Sequence, residues 1–130
     1  MQLTVPFHDV DMMEIAWHGH YAKYFEIARC ALLDQISYNY QQMRASGYAW
    51  PIIELKTRYV KPARFGQIIV VRARIVEYEL RLKIDYLITD ALNGTRLTKG
   101  STVQVAVELE TGELLLASPS VLLEKLGVRS

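Results

Sequence analysis

Between Ile52 and Glu110 the chain is four long runs: IIELKTRYVK, QIIVVRARIVEYE, LKIDYLITDA and TRLTKGSTVQVAVELE. They are dense in Val, Ile, Thr and Tyr, side chains that fit a pleated, half-buried surface, and their partial alternation marks strands. Breaks fall at PARFG (62–66), at Glu79 to Arg81, at Asn93-Gly94 and at Thr111-Gly112. Asn93-Gly94 between two apolar runs is the strongest hairpin signal, because both residues tolerate positive φ. Four consecutive long strands imply an antiparallel meander, and a sheet must bury a face against something.

The segment before them has a different period. Tyr21, Phe25, Ala28, Leu32 and Ile36 line one helical face, widened by Tyr24 and Leu33, with Lys23, Glu26, Asp34 and Gln41 elsewhere. Helix-favouring residues run to about Ala45, Gly47 offers a C-terminal cap, and Pro51 forbids continuation. The reading is one helix of about six or seven turns. QLTVPFHD ahead of it suits a short strand, with Pro6 favouring an edge or a bulge. SPSVLLEKLG at the end predicts a short helix with Ser118 as N-cap and Pro119 at its first position.

The predicted fold class is therefore α+β, a single domain over residues 1–130 with an antiparallel sheet packed on one long helix. One helix cannot cover both faces of strands as apolar as QIIVVRARIVEYE, so a homo-oligomer is expected. The formal charge of +1, from 15 basic and 14 acidic residues, gives no long-range attraction to nucleic acid or an anionic membrane. The single cysteine, Cys30, cannot form an internal disulfide. The first residues lack a signal-peptide pattern, and no apolar stretch approaches the ~18 residues that span a bilayer. A cytoplasmic protein is expected.

All three histidines and two aspartates crowd into HDVDMMEIAWHGHY, residues 8–21, at the approach to the helix. A metal site built from His18, His20 and Asp9, Asp11 or His8 lacks any familiar ligand spacing, so neither metal nor other cofactor is expected. Cys30 lies mid-helix, where nothing lowers a thiol pKa, and reads as a small buried or half-buried side chain. A third arrangement is chemically coherent. The first N–H groups of a helix starting near Trp17 to His20 lack partners and carry positive partial charge. They suit an oxyanion on an acyl carbonyl. Asp11 beside them would act as nucleophile or general base, and His18 would orient water or polarise the carbonyl. Asp and His before a helix are also common as capping or solvated loop residues. Residue pattern alone leaves the two readings open.

The stretch resembles the N-terminal signature of hotdog-fold acyl thioesterases of the 4-hydroxybenzoyl-CoA thioesterase and YbgC-like group. The residues that carry it are Asp9, Asp11, Trp17-His18, Tyr21, Tyr24, Glu26 and Ala28-Arg29. The likeness continues through RYVKPARFGQIIVVRARIVE and KGSTVQVAVELETGE, nearly the whole chain. It implies a long helix wrapped by an antiparallel sheet, and dimers or tetramers with sites at subunit interfaces. It implies hydrolysis of an acyl-CoA or acyl-carrier-protein thioester, with Asp11 as the catalytic carboxylate and His18 as the assisting histidine. Main-chain N–H groups near His18 would complete the oxyanion site, with Trp17 at the substrate.

Two departures stand out: Met12, Met13 and Glu14 fill a turn where the family has glycine, and Phe7 stands where the YbgC-like branch has tyrosine. Arg58, Lys61 and Arg64 form a basic group suited to phosphates of coenzyme A or a phosphopantetheine arm, or else a solvated strand end. Glu26 either hydrogen-bonds within the site or pairs along the helix with Lys23 or Arg29, the structural role being favoured. Tyr48 and Trp50 read as core or interface aromatics, with an acyl pocket as the other option. Alternative functions are a 3-hydroxyacyl dehydratase of the same fold and a non-catalytic acyl- or carrier-binding subunit.

Overall fold

The computed structural model describes residues 2–4, 18–61 and 63–128, with backbone alone at Thr4 and residues 18–21. In chain order the elements are β1 (Gln2–Thr4), α1 (His18–Gln35), α2 (Tyr40–Ala45), β2 (Tyr48–Ala49), β3 (Ile52–Tyr59), β4 (Ile68–Glu77), β5 (Leu82–Asp90), β6 (Arg96–Gln104), β7 (Val107–Glu108) and α3 (Ser120–Lys125). The remainder of the predicted first strand, including Pro6 and Phe7, lies outside the described residues, as do Met12, Met13 and Glu14.

The predicted strands form one antiparallel five-stranded sheet in the order β1-β4-β5-β6-β3. This corrects the meander in one respect. β4, β5 and β6 are neighbours in sequence order, but β3 pairs with β6 at the far edge, so residues 60–67 cross between sheet positions. The crossing is tied down by the Val60 and Lys61 N–H groups, which donate to Leu97 O at 2.9 and 3.0 Å, and by Ala63, fully buried. The last predicted strand also divides. Its tail leaves the sheet at Val105 and Ala106, both buried, and β7 pairs with β2 in a separate two-stranded sheet.

The helix is not continuous to Ala45. α1 ends at Gln35, and Ser37 takes φ +56°. The Tyr38 N–H donates to Leu33 O at 3.0 Å and the Ser37 N–H to Asp34 O at 3.1 Å, the paired bonds of a Schellman cap. Tyr38 and Leu33, both buried, supply the apolar contact that goes with it. Asn39 then opens α2 with a capping box: its Oδ1 accepts from Gln42 N at 2.9 Å, and its N–H donates to Gln42 Oε1 at 2.7 Å. Gly47, with φ +96°, closes α2 as expected. At α3 the N-cap is Pro119 and not Ser118, whose hydroxyl is buried without a partner while its N–H donates to Glu79 O at 2.9 Å. In the β5–β6 turn only Gly94, and not Asn93, has positive φ.

The core lies between α1 and the inner face of the sheet, where Phe25 and Tyr24 meet Ile69, Val71, Ile84, Tyr86 and Ile88. Phe25 stacks on Tyr86 with ring centroids 4.7 Å apart. The ring also covers Gly100, where an added Cβ would stand 2.5 Å from two of its carbons. That contact seats α1 on the sheet.

Candidate active site

His18 is the first residue of α1, so the helix begins within the predicted Trp17 to His20 window. Its first N–H groups have no partner four residues upstream within the helix. Two cavities lie along α1. A cavity of about 370 Å³ is walled by Ala22, Lys23 and Glu26 of the first turns against Ile52, Leu55 and Thr102 of the sheet. It shares Glu26, Arg29 and Ile52 with a second cavity of about 660 Å³, bounded by Leu33, Met43, Tyr48 and Trp50. Together the two cavities make a channel along α1 from Ala22 to Asp34, roomy enough for a small-molecule chain.

The channel wall mixes apolar side chains with polar ones, Glu26, Arg29, Asp34, Arg44 and Gln104 among them. Glu26 is exposed where the two cavities meet and, among the described residues, forms no ion pair with Lys23 or Arg29, contrary to the expected helix pairing. Cys30 is exposed on the channel wall and is not the buried side chain expected. Trp50 is core, as read: its Nε1 donates to Tyr38 Oη at 3.1 Å, and its ring meets Tyr38 edge-on. It also lines the second cavity with Tyr48. Gln104, 4% exposed, donates from Nε2 to Trp50 O at 2.8 Å, and its Oε1 has no partner among the described residues. Beneath α1, Tyr86 Oη and Thr102 Oγ1 are 2.7 Å apart. Burial raises the Tyr86 pKa, against the opposing pull of Thr102 and the Arg29 guanidinium.

Asp11 and Trp17 lie outside the described residues, as does the His18 side chain. The three predicted basic residues sit on β3 and on the segment after it. Arg58 stands on the outer face of β3, while Lys61 and Arg64 are exposed in the crossing that follows, the Arg64 N–H donating to Gln67 Oε1 at 2.9 Å. Strand register brings Lys99 directly opposite Arg58, a neighbour that the meander reading could not supply. Among the described residues no three His, Cys, Asp or Glu side chains converge as metal ligands. Among the described residues no helix is long and apolar enough to cross a membrane.

The fold is an antiparallel sheet packed on α1, with cavities along that helix. The family model of the thioesterase-like superfamily matches residues 5–126, and the chain belongs to that superfamily. YneP of Bacillus subtilis, which carries the name of an acyl-CoA thioesterase, is 29% identical over 77 residues, covering 59% of this chain and 56% of YneP. The esterase-named sll0410 of Synechocystis is 28% identical over 120 residues, covering 92% of this chain and 72% of its own length. The chain thus spans little more than half of YneP and about three quarters of sll0410. Among solved structures, hypothetical protein TT1821 of Thermus thermophilus superposes with a TM-score of 0.85 at 27% identity, over 98% of this chain and 95% of that one.

Proposed function

We propose that the chain hydrolyses an acyl thioester, of coenzyme A or of a carrier protein, at the N-terminus of α1. Asp11 acts as nucleophile or as general base toward water, and His18 assists it. The free N–H groups of the first helical turn hold the tetrahedral oxyanion, with the helix dipole favouring the negative charge. The acyl chain runs into the channel along α1, and Trp17 contacts the substrate. Lys61 and Arg64, exposed beside the crossing, and Arg58 attract the phosphate-bearing part of the substrate. The observation that supports the reading is a cavity walled by Ala22, Lys23 and Glu26, just past the helix start at His18. The name of YneP supports the acyl-CoA class. A long central helix with the sheet curled about it, the hotdog arrangement, is retained with α1 as that helix and α2 as its broken continuation.

A second copy of the chain completes the assembly. β3 is an edge strand, yet Ile52, Ile53, Leu55, Tyr59 and Val60 along it are 41 to 55% exposed. An open edge this apolar is a template for strand pairing, and a second β3 is the self-complementary solution.

The test is thiol release from a panel of short, long and aromatic acyl-CoA and acyl-carrier thioesters. Release above background on at least one substrate is the expected result. Background-level release on every thioester at high enzyme concentration overturns the hydrolase reading and favours an acyl-binding subunit.

A further inference from the structure

The outer face of the sheet, turned away from α1, carries charge of which the thioester reading uses Arg58 alone. The register fixes which residues share it. Arg72 pairs with Leu87, Leu87 with Lys99, and Lys99 with Arg58, one row across four strands. The adjacent row is Arg74, Asp85, Ser101 and Lys56. Residues directly opposite on neighbouring strands stand about 5 Å apart, and like charges there are destabilising. Lys99 and Arg58 nonetheless face each other, both exposed.

Local carboxylates do not neutralise the pair. Glu54 is engaged by Lys56 at 2.8 Å, a contact that also lowers the Glu54 pKa. Among the described residues, no carboxylate oxygen comes within 4.0 Å of Arg58 or Lys99. The two cations border a depression of about 560 Å³ over Gly100, with Lys56, Ser101 and Asp85 also on its wall. A guanidinium fork, an ammonium and a hydroxyl are three kinds of donor suited to phosphate oxygens. Asp85, on the same wall, is an acceptor for a sugar hydroxyl. The depression has the size of a small ligand.

We propose that this depression is a phosphate site, held by Arg58 and Lys99, that takes the phosphorylated ribose of a nucleotide. Strand pairing along β3 uses main-chain groups in the plane of the sheet and leaves the outer face open. The phosphorylated ribose has two sources: the nucleotide end of coenzyme A, which rests on the thioesterase reading, or a free nucleotide, which does not. In both cases the site explains why a repulsive pair is kept on an exposed strand surface.

The experiment is calorimetric titration of the full chain with adenosine 3′,5′-bisphosphate, with unphosphorylated adenosine and inorganic phosphate as controls. Native protein, Lys99→Gln and Lys99→Arg are compared, with Tm recorded for each. The bisphosphate binds the native protein and adenosine does not. Lys99→Gln weakens binding about tenfold or more, the scale of one lost charge-assisted hydrogen bond, and Lys99→Arg restores much of it. Equal affinity in native protein and Lys99→Gln, or no binding by native protein, overturns the proposal whether or not any thioester is hydrolysed. The source follows from kcat/KM for an acyl-CoA relative to the matching acyl-pantetheine. If Lys99→Gln lowers that ratio, the ligand is the substrate's own nucleotide end. If the ratio holds while bisphosphate binding is lost, the ligand is a free nucleotide.

Discussion

Gly100→Ala tests how α1 is seated. The added methyl would stand 2.5 Å from Cε2 and Cζ of Phe25 and 2.9 Å from Lys56 O. Phe25 is fully buried and stacked on Tyr86, whose hydroxyl is held by Thr102, so the ring has nowhere to retreat. Lys56 O belongs to the neighbouring strand β3 and cannot move without disturbing the ladder. Overpacking of this kind costs about 1–3 kcal/mol, and the upper half of that range applies with both neighbours fixed. An unfolding entropy of about 2.1 cal/mol/K per residue over 130 residues makes 1 kcal/mol worth roughly 4 °C. Calorimetry should therefore show Tm falling by about 8–12 °C. Phe25→Leu removes the two clashing ring carbons at the cost of a partial cavity. The double variant Phe25→Leu, Gly100→Ala should lose at least ~1 kcal/mol less than the sum of the single losses. A Tm for Gly100→Ala within a degree of native, or strictly additive losses, would refute the seating argument.

Other predictions follow from local geometry. Asn39→Ala removes one half of the capping box at α2 and should cost about 1 kcal/mol, read as a Tm loss near 4 °C. Asp90 accepts from Gln67 Nε2 at 2.7 Å and from the N–H groups of Leu92 and Asn93 at 2.8 and 3.1 Å. These bonds hold its pKa below the ordinary aspartate value, that of Gln67 contributing most. A lowered folded-state pKa stabilises above the unfolded value and ceases to do so as pH falls through the folded one. The Tm gap between native protein and Asp90→Ala should thus be widest near neutrality and narrow as acid passes below the ordinary aspartate range; a gap that widens in acid would contradict this. Ile53→Lys, placing a charge on the exposed apolar edge of β3, should shift sedimentation toward the monomer without lowering helix content. An unchanged sedimentation coefficient would place the subunit contact elsewhere.

Much of this fold was legible from side-chain pattern. β3, β4, β5 and β6 announce themselves through branched residues in long runs, and α1 through the Phe25, Ala28, Leu32 face. The end of α1 was not, because its left-handed residue is Ser37 where glycine or asparagine usually signals a stop. The signal that could have found the break is Asn39-x-x-Gln42, a capping box in the middle of the helical pattern. Strand order was also hidden, since alternation says which residues share a face and not which strand lies beside which. That is why Arg58 could be suspected from sequence while Lys99, 41 positions later, could not. At the candidate site the helix start near His18 follows from apolar period. The assignment of Asp11 to chemistry came from the motif's resemblance, because an aspartate ahead of a helix serves equally well as a cap.

The central claim is that Asp11 drives thioester hydrolysis at the start of α1. Thiol release on the best substrate of the panel, measured for native protein and Asp11→Asn at matched concentration and with Tm recorded for both, tests it most directly. Loss of a general base lowers the rate ~10²–10⁴-fold, and loss of a nucleophile at least as much, so the variant should fall by ~10² or more with its Tm near native. An Asp11→Asn protein that releases thiol at the native rate would contradict the account.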